Sequence, residues 1–196
     1  MSVSFDLTGR TAMVTGANTG LGQAIAVGLA QAGADIVAVG RSTPTETAAM
    51  VVATGRALHA IPADLSSVAP IADVVAQAVA AVGTIDILVN NAGIIRRNDS
   101  LDFTEEDWDA VMDTNLKTAF FLSQAVARTW ADTGRGGKII NICSMLSFQG
   151  GIRVPSYTAS KSGLAGLTKL LACEWASGGI NVNAIAPGYF STNNTE

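Results

Sequence analysis

Short, almost wholly apolar runs alternate along this chain with longer stretches in which apolar residues recur at helical spacing. The runs have the composition of strands buried on both faces, and the alternation is that of repeated βαβ units. The pattern predicts strands near Thr11–Thr15, Asp35–Val39, Ala57–Ile61, Ile85–Asn90, Lys138–Cys143 and Asn181–Ala186. It predicts helices near Leu21–Gln31, Pro44–Thr54, Val68–Val82, Glu105–Thr129 and Ser156–Ala176. Pro44 suits a first helical turn and Gly33 a helix stop. The fold class is α/β, a doubly wound parallel sheet. It forms a single domain over residues 1–196, since no Pro/Gly/Ser-rich linker or charge block divides the chain.

Composition agrees with buried strands: 48% of residues are hydrophobic and only 14% charged, a balance that also suits a large oligomer interface. Asp86, Lys117, Lys169 and Glu174 interrupt the richest apolar stretches, so no run reaches the roughly 18 residues needed to span a bilayer. Met1 to Arg10 carries neither a basic leader nor an apolar core, which gives a cytoplasmic location as the expectation. A net charge of -4 argues against nucleic acid as a partner. Cys143 and Cys173 are too few and too far apart for a metal cluster or disulfide framework, and both read as buried thiols. The single histidine, His59, reads as structural or solvent-facing, so no metal site is expected.

Chemistry enters at the glycine-rich turn Thr15-Gly16-Ala17-Asn18-Thr19-Gly20-Leu21-Gly22, which follows an apolar strand and opens an amphipathic helix. Glycines let the backbone approach a pyrophosphate, and the helix N-terminus offers unpaired N–H donors with partial positive charge. This is the phosphate site of a Rossmann-type nucleotide fold, although an ordinary glycine-bearing turn has the same residues. Further along, Tyr157 and Lys161 stand four residues apart, on one face of a helix, with Ser144 upstream. A neighbouring ammonium stabilises a phenolate and makes tyrosine usable as an acid or base. Taken singly, Ser144 also reads as a strand-end cap, Asn115 as a buried polar residue and Lys161 as a solvated lysine.

The turn matches the TGxxxGxG pattern of the short-chain dehydrogenase/reductase family, and the resemblance runs through the chain in order. Asp64-Leu65, Asn90-Asn91-Ala92-Gly93, Asn115, Ser144, Tyr157, Lys161 and Pro187-Gly188 all fall in register. The resemblance implies an NAD(P)-dependent oxidoreductase acting on a secondary alcohol or ketone. It implies a catalytic set of Asn115, Ser144, Tyr157 and Lys161. Tyr157 exchanges the proton, Lys161 lowers its pKa and holds the nicotinamide ribose, Ser144 bonds the substrate oxygen, and Asn115 interrupts its helix to hold a relay water. The implied cofactor residues are Gly16, Asn18, Thr19, Gly20, Leu21, Gly22, Arg41, Asp64, Leu65, Asn91, Ala92, Gly93, Tyr157, Lys161, Pro187 and Gly188. Asp64 is assigned to the adenine, and Asn90 also reads as a strut between strands. The position after the second strand is Gly40-Arg41-Ser42, with no carboxylate to select a ribose 2′-OH, so its chemistry tilts toward NADP.

The segment from Ser144 to Tyr157 is expected to cover the substrate, with Ser144, Gln149, Arg153, Arg96 and Arg97 as candidate substrate contacts. Guanidinium groups at a pocket mouth suit a carboxylate, and surface arginines look the same. GIIRR, IINICSMLSFQGGIRVPSYTASKSG and NVNAIAPGYFSTNNTE resemble the branch of bacterial 2-deoxy-D-gluconate 3-dehydrogenases, also called 2-keto-3-deoxy-D-gluconate dehydrogenases. That branch mostly uses NAD, so NAD and NADP both stand. The resemblance implies a small sugar-acid substrate. The alternatives are a 3-oxoacyl carrier-protein reductase, a gluconate 5-dehydrogenase and, from another class, a cofactor-sensing regulator. It also implies a longer protein whose C-terminal lid and last strand are lacking here, with Tyr189 to Glu196 as the start of the lid. A homotetramer is expected, with Phe120, Phe121, Trp130 and Trp175 offered either to a helix contact or to the core.

Overall fold

The computed structural model describes residues 4–190. Its strands are β1 (Thr11–Thr15), β2 (Asp35–Gly40), β3 (Leu58–Pro62), β4 (Ile87–Asn90), β5 (Lys138–Ile142) and β6 (Asn181–Ile185). They form one sheet in the order β3-β2-β1-β4-β5-β6, and every pairing is parallel. Chain order reverses direction between β1 and β4. That switch point opens a crevice beyond the carboxyl ends of the strands, where such sheets take ligands.

Alternate strand residues feed two cores. Ala12, Val14, Ile36 and Ala38 pack on α1 (Gly20–Gln31) and α2 (Thr45–Ala53), through Ala26, Ala30 and Val51. Met13, Val37, Leu88 and Ile139 pack on α3 (Ile71–Val82), α5 (Thr118–Asp132) and α6 (Pro155–Trp175), through Val74, Val126 and Leu171. Burial on both faces explains why these strands read as unbroken apolar runs. Among the described residues no helix is long and apolar enough to cross a membrane.

The structure refines the sequence reading at several points. The long helix expected at Glu105–Thr129 is two helices, α4 (Glu105–Met112) and α5, joined by a π-helical turn at Asp113–Lys117, where the resemblance implied an interruption at Asn115. The third helix begins at Ile71 because Pro70 serves as its N-cap. Cys173 is exposed, not buried: it lies two residues, about 200° of helix, beyond buried Leu171. Of the aromatics offered to a helix contact, Trp130 is core, only 1% exposed, and its indole N–H donates to the Ile85 carbonyl. Phe120 and Trp175 pack against the same core, whereas Phe121 is 39% exposed. The expected lid segment lies outside the described residues from position 191 onward.

Candidate active site

Thr15, at the end of β1, organises the crevice. Its hydroxyl accepts from the N–H groups of Asn91 and Ala92 at 3.0 and 2.9 Å and donates to the Val89 carbonyl at 3.3 Å. The Asn91 amide returns bonds to the carbonyls of Thr15 and Gly16, at 2.9 and 3.3 Å. The ends of β1 and β4 are thus locked side by side. Gly16 and Gly20 take positive φ, +65° and +56°, which turns the chain back into α1. A β-carbon on Gly22 would overlap the Gly16 carbonyl and the Asn91 amide. The first turn of α1 carries no acidic residue, so its N–H groups and partial positive charge are left for an anion.

Beyond β2, the Asn18 amide bonds the carbonyl of Ser42, at 3.0 Å, and its hydroxyl. A β-carbon on Gly40 would stand 2.6 Å from Asn18 Oδ1, so a side chain at position 40, a carboxylate included, would have to displace the Asn18 amide from its bonds to Ser42. Arg41 and Ser42 line the opening instead.

Asn115 occupies the π-helical turn and is 1% exposed. Its Oδ1 accepts from the Ile94 N–H at 2.8 Å, and its Nδ2 donates to the Ile94 carbonyl at 2.9 Å and to Ser160 Oγ at 3.3 Å. Ser160 in turn donates to the Tyr157 carbonyl at 2.9 Å. The side chain therefore ties the segment after β4 to α6 and lies behind the crevice wall. The extra residue of a π turn shifts which side chains face inward and is common at functional sites. Asn90 is the strut anticipated for it: its amide donates to Asn141 Oδ1 at 2.9 Å and to Ser123 Oγ at 2.8 Å.

Ser144 leaves β5 in an extended conformation and caps a 3₁₀ turn, Met145–Ser147. α6 then begins at Pro155 and carries Tyr157 and Lys161 toward it. Lys161 is 4% exposed, with Nζ donating to the Ile142 carbonyl at 2.6 Å. Burial pulls its ammonium down to about 8, against an opposing effect of Cys143. Burial pushes the Tyr157 phenol above its usual value; hydrogen bonding by Ser144 and the charge of Arg97 act downward, and Cys143 acts upward. The Cys143 thiol is itself raised, mainly by burial. Burial thus favours the neutral phenol of Tyr157.

All the expected cofactor residues line one cleft of about 690 Å³, together with Ser144 and Arg96. The residues fit a dinucleotide: a glycine turn at a helix N-terminus for the pyrophosphate, a side-chain-free corner beside Arg41, and Ala92, Gly93, Pro187 and Gly188 near Tyr157 and Lys161. Arg97, Gln149 and Arg153 lie outside the lining. Arg153 pairs with Asp99 at 3.1 Å and Arg96 with Asp107 at 3.1 Å. Sequence reasoning did not single out Ser147, Ser160, or the anchoring role of Thr15. Their partners are mostly backbone groups, which leave no residue signature.

The profile of the short chain dehydrogenase family matches residues 10–196. The chain is 60% identical over 193 residues to a 2-dehydro-3-deoxy-D-gluconate 5-dehydrogenase of Dickeya dadantii, covering 98% of this chain and 76% of that protein. It is 42% identical over 194 residues to a gluconate 5-dehydrogenase of Gluconobacter oxydans, covering 98% of this chain and 75% of that protein. A crystal structure from Agrobacterium tumefaciens, described as a 2-deoxy-d-gluconate 3-dehydrogenase with bound NADP, superposes with a TM-score of 0.90 at 57% identity. The superposition covers 99% of this chain and 77% of that one.

Proposed function

The chain belongs to the short-chain dehydrogenase family, and we propose that it interconverts a secondary hydroxyl and ketone on a deoxy sugar acid. The substrate proposed is 2-dehydro-3-deoxy-D-gluconate, oxidised at its 5-hydroxyl with NADP or NAD. The observation that carries the reading is the meeting of Ser144, Tyr157 and Lys161 in the same cleft as the glycine turn. The choice of sugar acid is supported by the names of relatives at 60% identity and by basic Arg96 in the cleft wall.

The dinucleotide, held by the Gly16–Gly22 turn, Arg41, Asp64 and the Asn91–Gly93 segment, supplies or accepts the hydride when bound. The protein's own part is proton exchange and charge stabilisation. The Ser144 hydroxyl bonds the reacting oxygen as charge grows on it. Tyr157 gives that oxygen its proton in reduction and removes it in oxidation. Burial raises the phenol and lowers the ammonium of Lys161, which moves their proton affinities apart, so Tyr157 holds its proton and Lys161 is the readier of the two to release one. Asn115 and Ser160 hold the α6 turn that carries Tyr157.

The test is nicotinamide absorbance with purified protein, NADP or NAD, and a panel of 2-dehydro-3-deoxy-D-gluconate, 2-deoxy-D-gluconate, D-gluconate and a 3-oxoacyl thioester. Turnover of the first, lost in Tyr157→Phe, is the expected result. Preference for 2-deoxy-D-gluconate or D-gluconate moves the assignment within the sugar acids. Preference for the thioester overturns it, and cofactor binding without any turnover favours a sensing role.

A further inference from the structure

We propose that Ser147 is a positioning residue, whose hydroxyl fixes the loop carrying Ser144 against the helix carrying Tyr157 and Lys161. Its oxygen stands 2.8 Å from the Lys161 carbonyl and 3.3 Å from the Ser144 N–H. The roles in the two bonds are dictated by their partners. A carbonyl has no proton, so Ser147 donates to it; an amide N–H only donates, so Ser147 accepts from it. One hydroxyl thus bridges the backbones of two residues of the proposed catalytic set.

Two further bonds set that bridge in context. Ser144 Oγ accepts from the Leu146 N–H at 3.2 Å, closing the reciprocal cap that rigidifies the 3₁₀ turn. Lys161 is gripped at its other end, where Nζ donates to the Ile142 carbonyl at 2.6 Å. Ile142 and Lys161 are then joined by the lysine side chain, while Ser144 and Lys161 are joined through Ser147. Removing the hydroxyl leaves the first tie and cuts the second. The loop then keeps to α6 through the longer bond from the Ser162 hydroxyl to the Leu146 carbonyl, 3.4 Å, which lets Ser144 shift relative to α6 while the lysine remains anchored. Displacements of this kind, near an ångström, cost catalysis heavily because reacting groups need close alignment.

The inference rests on the dehydrogenase reading above, and its test includes a readout that needs no substrate. Ser147→Ala is expected to lower kcat roughly tenfold to a hundredfold, with the KM for the dinucleotide changed little. Ser147→Thr, which keeps the hydroxyl, is expected to restore most of the rate. The chain has two tyrosines, so in a Tyr189→Phe background ultraviolet phenolate absorbance titrates Tyr157 alone. Because Ser144 acts downward on that phenol, loosening Ser144 moves the titration to higher pH in Ser147→Ala and leaves it in place in Ser147→Thr. An unshifted titration in Ser147→Ala overturns the proposal whether or not a substrate is turned over. A rate equal to wild type, or a loss matched in Ser147→Thr, overturns it as well. Absence of turnover in the unsubstituted protein, with the titration shift present, counts against the dehydrogenase reading alone.

Discussion

Lys161 Nζ stands 5.8 Å from the centre of the Tyr157 ring, and burial disfavours the charged form of both side chains. For the lysine the consequence is a stability cost with a defined pH window. Its value falls from 10.5 to about 8, equivalent to about 3 kcal/mol against the folded state wherever both forms are protonated. Below pH 8 the full penalty applies. Between 8 and 10.5 the folded protein sheds the proton while the unfolded chain keeps it, so stability from this group rises with pH. Lys161→Met is therefore expected to unfold at the same or a higher temperature than wild type at neutral pH, an advantage fading through that window, while turnover is lost. Thermal unfolding of both proteins across the range checks it; a mutant clearly less stable at pH 7 contradicts it.

Gly22 and Gly28 lie on the same helix and separate space from propensity. A β-carbon at Gly22 overlaps the Gly16 backbone and the Asn91 amide, whereas at Gly28 nothing lies within 4 Å. Gly22→Ala is expected to push the glycine turn off β4, destabilising by roughly 1–3 kcal/mol and weakening dinucleotide binding. Gly28→Ala is expected to stabilise by about 0.5–1 kcal/mol, from helix propensity alone, with binding intact. Denaturant unfolding and a fluorescence titration with NADP read both effects. Equal behaviour of the two variants excludes the packing argument.

The corner at Gly40 predicts cofactor choice. Gly40 offers no carboxylate to a ribose hydroxyl, and Arg41 is the cation in that part of the cleft wall. A guanidinium there favours a 2′-phosphate over a free hydroxyl. NADP is expected to bind more tightly than NAD, and Arg41→Ala to weaken NADP roughly tenfold or more while leaving NAD nearly unchanged. Parallel titrations of both dinucleotides decide it. An equal loss for the two cofactors removes Arg41 from selection.

Much of this architecture was legible because the signals are local. A strand buried on both faces is a run of apolar residues, and a glycine turn or a Tyr157–Lys161 pair is a short pattern with its own chemistry. The π turn at Asp113–Lys117 was not legible from periodicity, because Val111, Ala119 and Leu122 remain buried across it and the helical spacing runs on unbroken; only the family resemblance implied an interruption at Asn115. Cys173 misled because an apolar residue in an amphipathic helix says little about its face when Leu171 and Trp175 flank it. The bond from Ser147 to the Lys161 carbonyl spans 14 positions and constrains only one of its two residues. Any residue at 161 has that carbonyl, so no pairing pattern announces it.

Arg153 is the one described non-glycine residue with positive φ, 63°, and it sits just before the helix that carries Tyr157. That backbone costs an L-residue about 1–2 kcal/mol. It is held by the Asn98 N–H donating to the Arg153 carbonyl at 3.0 Å and by the ion pair with Asp99. The pair is solvent-exposed on both sides, so it contributes little by itself. Backbone and side chain can therefore be separated. Arg153→Gly removes strain and charge together; Arg153→Ala removes the charge and keeps the strain. If the residue serves to turn the chain into α6, the glycine variant melts at or above the wild-type temperature, the alanine variant close to it, and KM for the sugar acid stays level in both. If the guanidinium leaves Asp99 to meet a substrate carboxylate, KM rises in both variants alike, whatever their stabilities. The two outcomes differ in kinetics rather than in folding, so steady-state rates on both proteins decide whether Arg153 shapes the loop or reads the substrate.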